Sequence, residues 1–235
     1  MASTIQDIVA QMPDAGLLPS NEPEMESSLH YQQLALLVST LEYHWRERED
    51  FFIGANLTVY YTLEQLRHRQ FRGPDFFLVT GVSRAPRKSW VVWAEGGHYP
   101  ELIIELLSLS TASVDREEKK TLYQDIFRTP EYFWFSPEDG EFAGFRRDGW
   151  VYRPIPVDDE GRRHSQVLGL SLGPVAGQLR YFEGDALLPT PAEAARAEGE
   201  RAEAERERAE NEHQRAEALA ARLRTLGVDP DVDQG

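Results

Sequence analysis

The feature that most constrains the fold is the run Leu102-Ile103-Ile104-Glu105-Leu106-Leu107, apolar at every position but one. It is short and continuous, the pattern of a β-strand covered on both faces. A sheet containing such a strand must be sandwiched between other layers, so the chain reads as an α/β (α+β) protein. The one carboxylate is costly there unless it is paired or binds a cation. Glu105 therefore faces solvent at a strand end, bonds an arginine, or faces a cleft and ligates a metal ion.

The rest of the chain supplies the other layers. Residues 1–26 are rich in Pro, Asp, Glu and Ser and read as an extended lead-in. Leu34, Leu37, Val38 and Leu41 recur at helical spacing and predict a helix from about Ser28 to Arg46, with Ser27 or Ser28 as its N-cap. Phe51 to Tyr61 is β-branched and aromatic, the signature of a strand or hairpin. Strands are also expected at Phe76–Val79, Ser89–Trp93, Tyr132–Phe135 and Leu179–Phe182, and a closing hairpin over Phe142–Pro156. A helix is expected from about Asp115 to Phe127. With 41% hydrophobic and 11% aromatic residues in 235, the chain can bury a sizeable core.

The chemistry-bearing residues are few. There is no cysteine, which excludes disulfides, thiolate nucleophiles and Cys-ligated zinc. No P-loop, G-x-G-x-x-G or G-x-S-x-G occurs, and histidines do not cluster at zinc spacing. Asp75 follows Arg72-Gly73-Pro74 at a strand start and supplies a second carboxylate. Asp115, Lys119 and Tyr123 fall at i, i+4 and i+8 of the expected helix and share a face. Two carboxylates and a lysine suit metal-assisted phosphodiester hydrolysis. The carboxylates hold Mg²⁺ or Mn²⁺ through oxygen, and the lysine orients water or stabilises developing charge. Each residue also has an ordinary reading: a Pro-Asp turn for Asp75, a helix cap for Asp115, a solvated charge run for Lys119.

The order Arg72-Gly73-Pro74-Asp75, Ile103-Ile104-Glu105-Leu106-Leu107-Ser108, Asp115-x-x-x-Lys119-x-x-x-Tyr123 and Glu131-Tyr132-Phe133-Trp134 resembles a family of restriction-endonuclease-like proteins. That family is abundant in cyanobacteria and belongs to the PD-(D/E)xK nuclease superfamily. The resemblance covers roughly Ser27 to Phe182. It implies a central mixed sheet flanked by helices, with Asp75 and Glu105 as metal ligands and Lys119 as catalytic lysine. The superfamily's lysine position, two residues after the strand glutamate, is Leu107 here, and in this family the following helix supplies the lysine. The family also carries a glutamate and a histidine at the first helix, matched by Glu26 and His30. Glu26 would complete the acidic site, with His30, Asp115 and Tyr123 in support.

Binding DNA needs local positive charge, because the formal net charge is −15. Arg72, Arg69 and Arg67, beside His68, precede Asp75 and are the expected phosphate contacts, Arg72 first. Arg84, Arg87, Lys88, Arg146 and Arg147 are further candidates. No stretch approaches the ~18 apolar residues of a membrane span, so a cytoplasmic address without membrane contact is expected.

After Pro189 and Pro191 the composition changes to Ala, Glu and Arg. Over 192–226 there are 9 acidic and 7 basic side chains, many of them spaced i,i+3 as in Glu193–Arg196 and Glu203–Arg206. Ala195, Ala202, Ala209, Ala216 and Leu223 repeat every seven residues, with Leu219 and Leu226 beside them. The tail is either a solvated single helix or a weak coiled coil making a homodimer or higher homo-oligomer. The organisation expected is a lead-in over 1–26, a nuclease-like domain over 27–188 and a helical tail over 192–226. The competing reading is a catalytically inactive nuclease-like module that acts as a scaffold through that tail. Convergence of Asp75, Glu105 and Lys119 on one cleft favours the enzyme; an arginine pairing Glu105 inside the sheet favours the scaffold.

Overall fold

A computed structural model describes residues 14–20, 22, 27–62, 65, 73–108 and 115–226. Six strands form the central sheet: β1 (Phe51–Ala55), β3 (Phe76–Thr80), β5 (Leu102–Leu106), β6 (Glu131–Phe135), β7 (Phe142–Asp148) and β8 (Val151–Pro154). Their order is β1-β3-β5-β6-β7-β8. Only the β5–β6 pair is parallel, so the sheet is mixed. All five residues of β5 and all five of β6 are buried, as the apolar run requires of a strand covered on both faces.

One face of this sheet is closed by a helix and a second sheet. Helix α1 (Ser28–His44) buries His30, Gln33, Leu34, Leu37, Thr40 and Leu41, a stripe at helical spacing. Ser27 caps it, its side chain accepting from the His30 N–H at 3.2 Å. The second sheet has the order β12-β11-β10-β9: β9 (Arg163–Ser165), β10 (Leu170–Val175), β11 (Gln178–Glu183) and β12 (Ala186–Leu187). Leu170, Leu172, Leu179 and Tyr181 from it join Phe76, Leu78, Ile104 and Phe133 in one core. Gln33 docks α1 onto it, donating to the Leu179 carbonyl at 3.0 Å and accepting from the Leu179 N–H at 2.9 Å.

The opposite face carries Phe77, Val79, Ile103, Tyr132 and Trp134, covered by segment 115–127 and by a two-stranded parallel sheet of β2 (Val59–Tyr60) and β4 (Trp90–Val91). Of the strand or hairpin expected over Phe51–Tyr61, the structure holds two separate strands, β1 and β2, that do not pair with each other. Asn56, at φ 46°, redirects the chain after β1, so β1 pairs with β3 while β2 leaves for β4. Within 115–127 the chain is largely wound as π-helix, Asp115–Lys119 and Leu122–Phe127, instead of an ordinary α-helix. Such wide turns recur at functional sites. The Leu179–Phe182 strand is present as β11, but as part of a four-stranded sheet. Its partner β10 contains Gly173-Pro174, which reads as a strand breaker.

The chain divides by contacts into two compact units, Met1–Leu188 and Pro189–Gly235. Within the second, α2 (Pro191–Thr225) opens with a capping box between Thr190 and Glu193. The Arg196–Glu200 ion pair at 2.9 Å and the His213–Glu217 contact at 3.4 Å each span four residues. Leu219 and Leu226 are exposed. Among the described residues, no helix is long and apolar enough to cross a membrane.

Candidate active site

The central sheet brings two carboxylates face to face. Phe76 pairs with Ile104 in the antiparallel β3–β5 ladder, so one step further Asp75 stands opposite Glu105. Asp75, Phe77 and Val79 alternate onto the same face as Ile103, Glu105 and Leu107. Asp75 also extends the ladder with its own side chain, Oδ2 accepting from the Leu106 N–H at 2.8 Å. Its approach is held by close packing. A Cβ on Gly73 would lie 2.2 Å from the Leu57 carbonyl oxygen, so only glycine fits two residues before Asp75.

Four groups close around this pair. His30 Nε2 lies 3.0 Å from Asp75 Oδ1. Lys119 Nζ lies 2.9 Å from Glu105 Oε2, and the Tyr123 hydroxyl donates to Glu105 Oε1 at 2.5 Å. Trp134 is the cross-strand neighbour of Glu105 on β6. The Glu105 side chain is 1% exposed and that of Lys119 17%. Two carboxylates opposed at this spacing repel unless something positive lies between them. Here the surroundings favour the protonated form of Glu105. Burial, and next the charge and hydrogen bond of Asp75, push Glu105 up to about 8, although Lys119 and Tyr123 oppose the rise. Burial also acts to raise Asp75, but the His30 hydrogen bond and the Lys119 charge outweigh it, and its carboxyl stays below the usual range.

The donor set is of the kind that would suit a divalent cation. The donors are hard carboxylate oxygens, and the repulsion they store is relieved by positive charge. Among the described residues no group of three or more His, Asp or Glu is arranged to hold a metal. Two carboxylates with retained waters are the usual protein share for Mg²⁺.

The sequence family agrees with this geometry. Residues 21–176 match the model of the Uma2 family, described as "Putative restriction endonuclease". The chain belongs to the Uma2 family. Among solved structures, this Uma2 protein is similar to one described as a putative nuclease belonging to DUF820 from Anabaena variabilis. The two are 11% identical, the match covering 63% of this chain and 76% of that one at a TM-score of 0.44. No curated protein matches.

Of the residues singled out from the Uma2 sequence, Asp75, Glu105, Lys119, Tyr123 and His30 converge on one site. Glu26, Arg67, His68, Arg69 and Arg72 lie outside the described residues, as does the Asp115 side chain. Three other arginines are committed elsewhere. Arg84 lies 3.8 Å from Glu42 and stacks on Phe51; Arg87 pairs with Glu95 at 2.5 Å and covers Phe52 and Trp90; Arg146 pairs with buried Glu131 at 2.8 Å. Sequence reasoning passed over Glu22, which accepts from the Gly73 N–H and, at 2.6 Å, from Thr58 Oγ1, steadying the turn into Asp75. A lone glutamate before a proline gives no local signal of this.

Proposed function

We propose that this protein is a metal-dependent DNA endonuclease that hydrolyses phosphodiester bonds, with Asp75, Glu105 and Lys119 as its catalytic set. The observation that carries the reading is the Asp75–Glu105 carboxylate pair, with Glu105 buried and closed by Lys119 at 2.9 Å. Membership of a family described as restriction endonucleases supports the reaction class. Glu105 pairs with a lysine from the crossover segment and not with an arginine inside the sheet, which favours an enzyme over a scaffold.

Asp75 and Glu105 would hold Mg²⁺ or Mn²⁺. When bound, such an ion polarises the phosphoryl oxygen and lowers the pKa of a coordinated water. The chain's own residues do the rest. His30 holds Asp75 through Oδ1 and the Leu106 N–H holds it through Oδ2, fixing the carboxylate plane. Tyr123 fixes Glu105 from a fully buried position. Lys119, held at 2.9 Å from Glu105, would stabilise charge developing on the phosphate oxygens. Glu26 would complete the acidic site, and Arg67, Arg69 and Arg72 would take the strand's phosphates, as the sequence resemblance implies. Residues 27–188 form the nuclease domain, and α2 forms an oligomerising arm. An address in the cytoplasm suits that substrate.

The test is cleavage of supercoiled plasmid with Mg²⁺ or Mn²⁺ by wild type, Asp75→Ala and Glu105→Ala. Metal-dependent nicking that vanishes in both variants supports the assignment. Absence of cleavage, with no Mn²⁺ binding that depends on Glu105, removes it.

A further inference from the structure

Lys119 is not the only lysine that the π-wound segment turns onto the sheet. Lys120 follows it, and its Nζ lies 3.5 Å from the Phe145 ring centroid and 5.8 Å from that of Trp134. Trp134 is the residue beside Glu105 in the β5–β6 register, and Phe145 lies on the next strand, β7, so Lys120 stands over the strands beyond the one that carries Glu105. The two lysines differ in employment. Lys119 is taken by Glu105, whereas among the described residues no carboxylate pairs with Lys120. An ammonium over aromatic faces is stabilised there without spending its three donors on oxygen.

A second, independent observation lies in Trp134 itself. The residue is 8% exposed, and its indole N–H is buried with no hydrogen-bond partner among the described residues. Buried donors are nearly always satisfied, so an orphan beside a candidate site points to a ligand acceptor. A cationic donor and a neutral donor with no acceptor of their own select an anion rich in oxygen. In a chain of net charge −15 such a spot is local and specific.

We propose that Lys120 and Trp134 form a second phosphate subsite beside the Asp75–Glu105 pair, holding the DNA phosphate adjacent to the one cleaved. The inference rests on the nuclease reading and adds to it a residue that sets the register of the strand. Lys120 binds and positions the backbone; Lys119 serves the reacting phosphate. The Phe145 ring, and more distantly that of Trp134, lie against the Lys120 ammonium and set its position above the sheet.

The experiment is salt-dependent binding of a labelled mixed-sequence DNA duplex to the full chain, with Ca²⁺ present to prevent cleavage. Each phosphate contact contributes about 0.9 to the slope of log affinity against log salt. Lys120→Met keeps the stem over Phe145 and should make the slope shallower by about 0.9, while Lys120→Arg should keep it. Trp134→Phe should weaken binding several-fold with the slope unchanged, because the lost donor is neutral. A wild type that binds duplex while Lys120→Met keeps the full slope overturns the subsite and leaves the nuclease reading intact. A wild type that neither binds nor cleaves duplex overturns both.

Discussion

Glu105 and Glu131 are both buried glutamates on adjacent parallel strands, 0% and 1% exposed, yet their surroundings are opposite in kind. Glu131, at the start of β6, meets only donors. Oε1 accepts from Arg146 Nε at 2.8 Å and from the Gln166 N–H at 2.9 Å; Oε2 accepts from the Ser165 hydroxyl and, at 3.4 Å, from the Val167 N–H. It stitches the second sheet to the first. Glu105, near the end of β5, meets two donors and another carboxylate. Burial does not separate the two roles; the sign of the neighbours does. A satisfied carboxylate holds structure, and one pressed against its own kind stores repulsion that the proposed cation would relieve.

The largest expected effect breaks that comparison through function. Glu105→Ala and Asp75→Ala should each reduce plasmid cleavage to background, while Glu131→Gln should leave the specific activity of the folded fraction near wild type. Loss of cleavage in properly folded Glu131→Gln, with Glu105→Ala still active, would reverse the assignment. Lys119→Met should cost about 10²–10³ in rate, the scale of one lost electrostatic donor at a reacting phosphate.

Stability should move the other way. Glu131→Gln leaves Arg146 without its ion pair, and an amide cannot accept from every donor Glu131 serves. The expected cost is about 2–4 kcal/mol, discounted for the partial exposure of Arg146. Glu105→Gln removes a repulsion and should raise stability at pH 8 by on the order of 1–2 kcal/mol. Denaturant midpoints of the two variants read both signs.

The pH dependence sharpens the same contrast. In the folded protein Glu105 keeps its proton up to about pH 8; an unfolded glutamate loses it near about 4.3. Across that window the folded state binds more protons, so metal-free stability should fall as pH rises. Asp75, lowered on folding, acts in the opposite sense and only in acid, its contribution being lost as pH falls through its folded value. Saturating Mn²⁺ should cancel the fall between pH 5 and pH 8 by taking the proton's place. In Glu105→Gln both the fall and its rescue should be absent. A thermal melt series at fixed ionic strength checks this.

The order of strong elements was legible because it follows from periodicity: α1, β3, β5, β6 and the β7–β8 hairpin all announce themselves by apolar spacing or by alternation of aromatics. The second sheet did not, because β9 is the polar tripeptide Arg163-His164-Ser165 and β10 breaks its pattern at Gly173-Pro174. The parallel β2–β4 pair is set by a single left-handed residue, Asn56, and by partners thirty residues apart, which no local pattern encodes. At the site, Glu105 was visible as a charge in an apolar strand. Asp75 gained meaning only from the register that sets it opposite Glu105. Lys120 was hidden inside Glu117-Glu118-Lys119-Lys120, a run whose composition reads as solvated surface although both lysines reach the sheet.

The smallest effect tests how finely the Glu105 proton is tuned. Tyr123 is fully buried and packed on Tyr132 and Phe127, so Tyr123→Phe keeps the ring and deletes only the hydroxyl that donates to Glu105. That bond favours the ionised carboxylate; without it Glu105 should hold its proton still more tightly. A hydrogen bond to a charged group is worth about 1.5 kcal/mol, so cleavage at neutral pH should drop about ten-fold. Because the loss comes from competition between proton and cation, it should shrink as pH rises above 8 or as Mn²⁺ increases. A constant deficit at every pH and every metal concentration would mean that Tyr123 acts on the reacting phosphate directly, and that the proton on Glu105 is not what limits the enzyme.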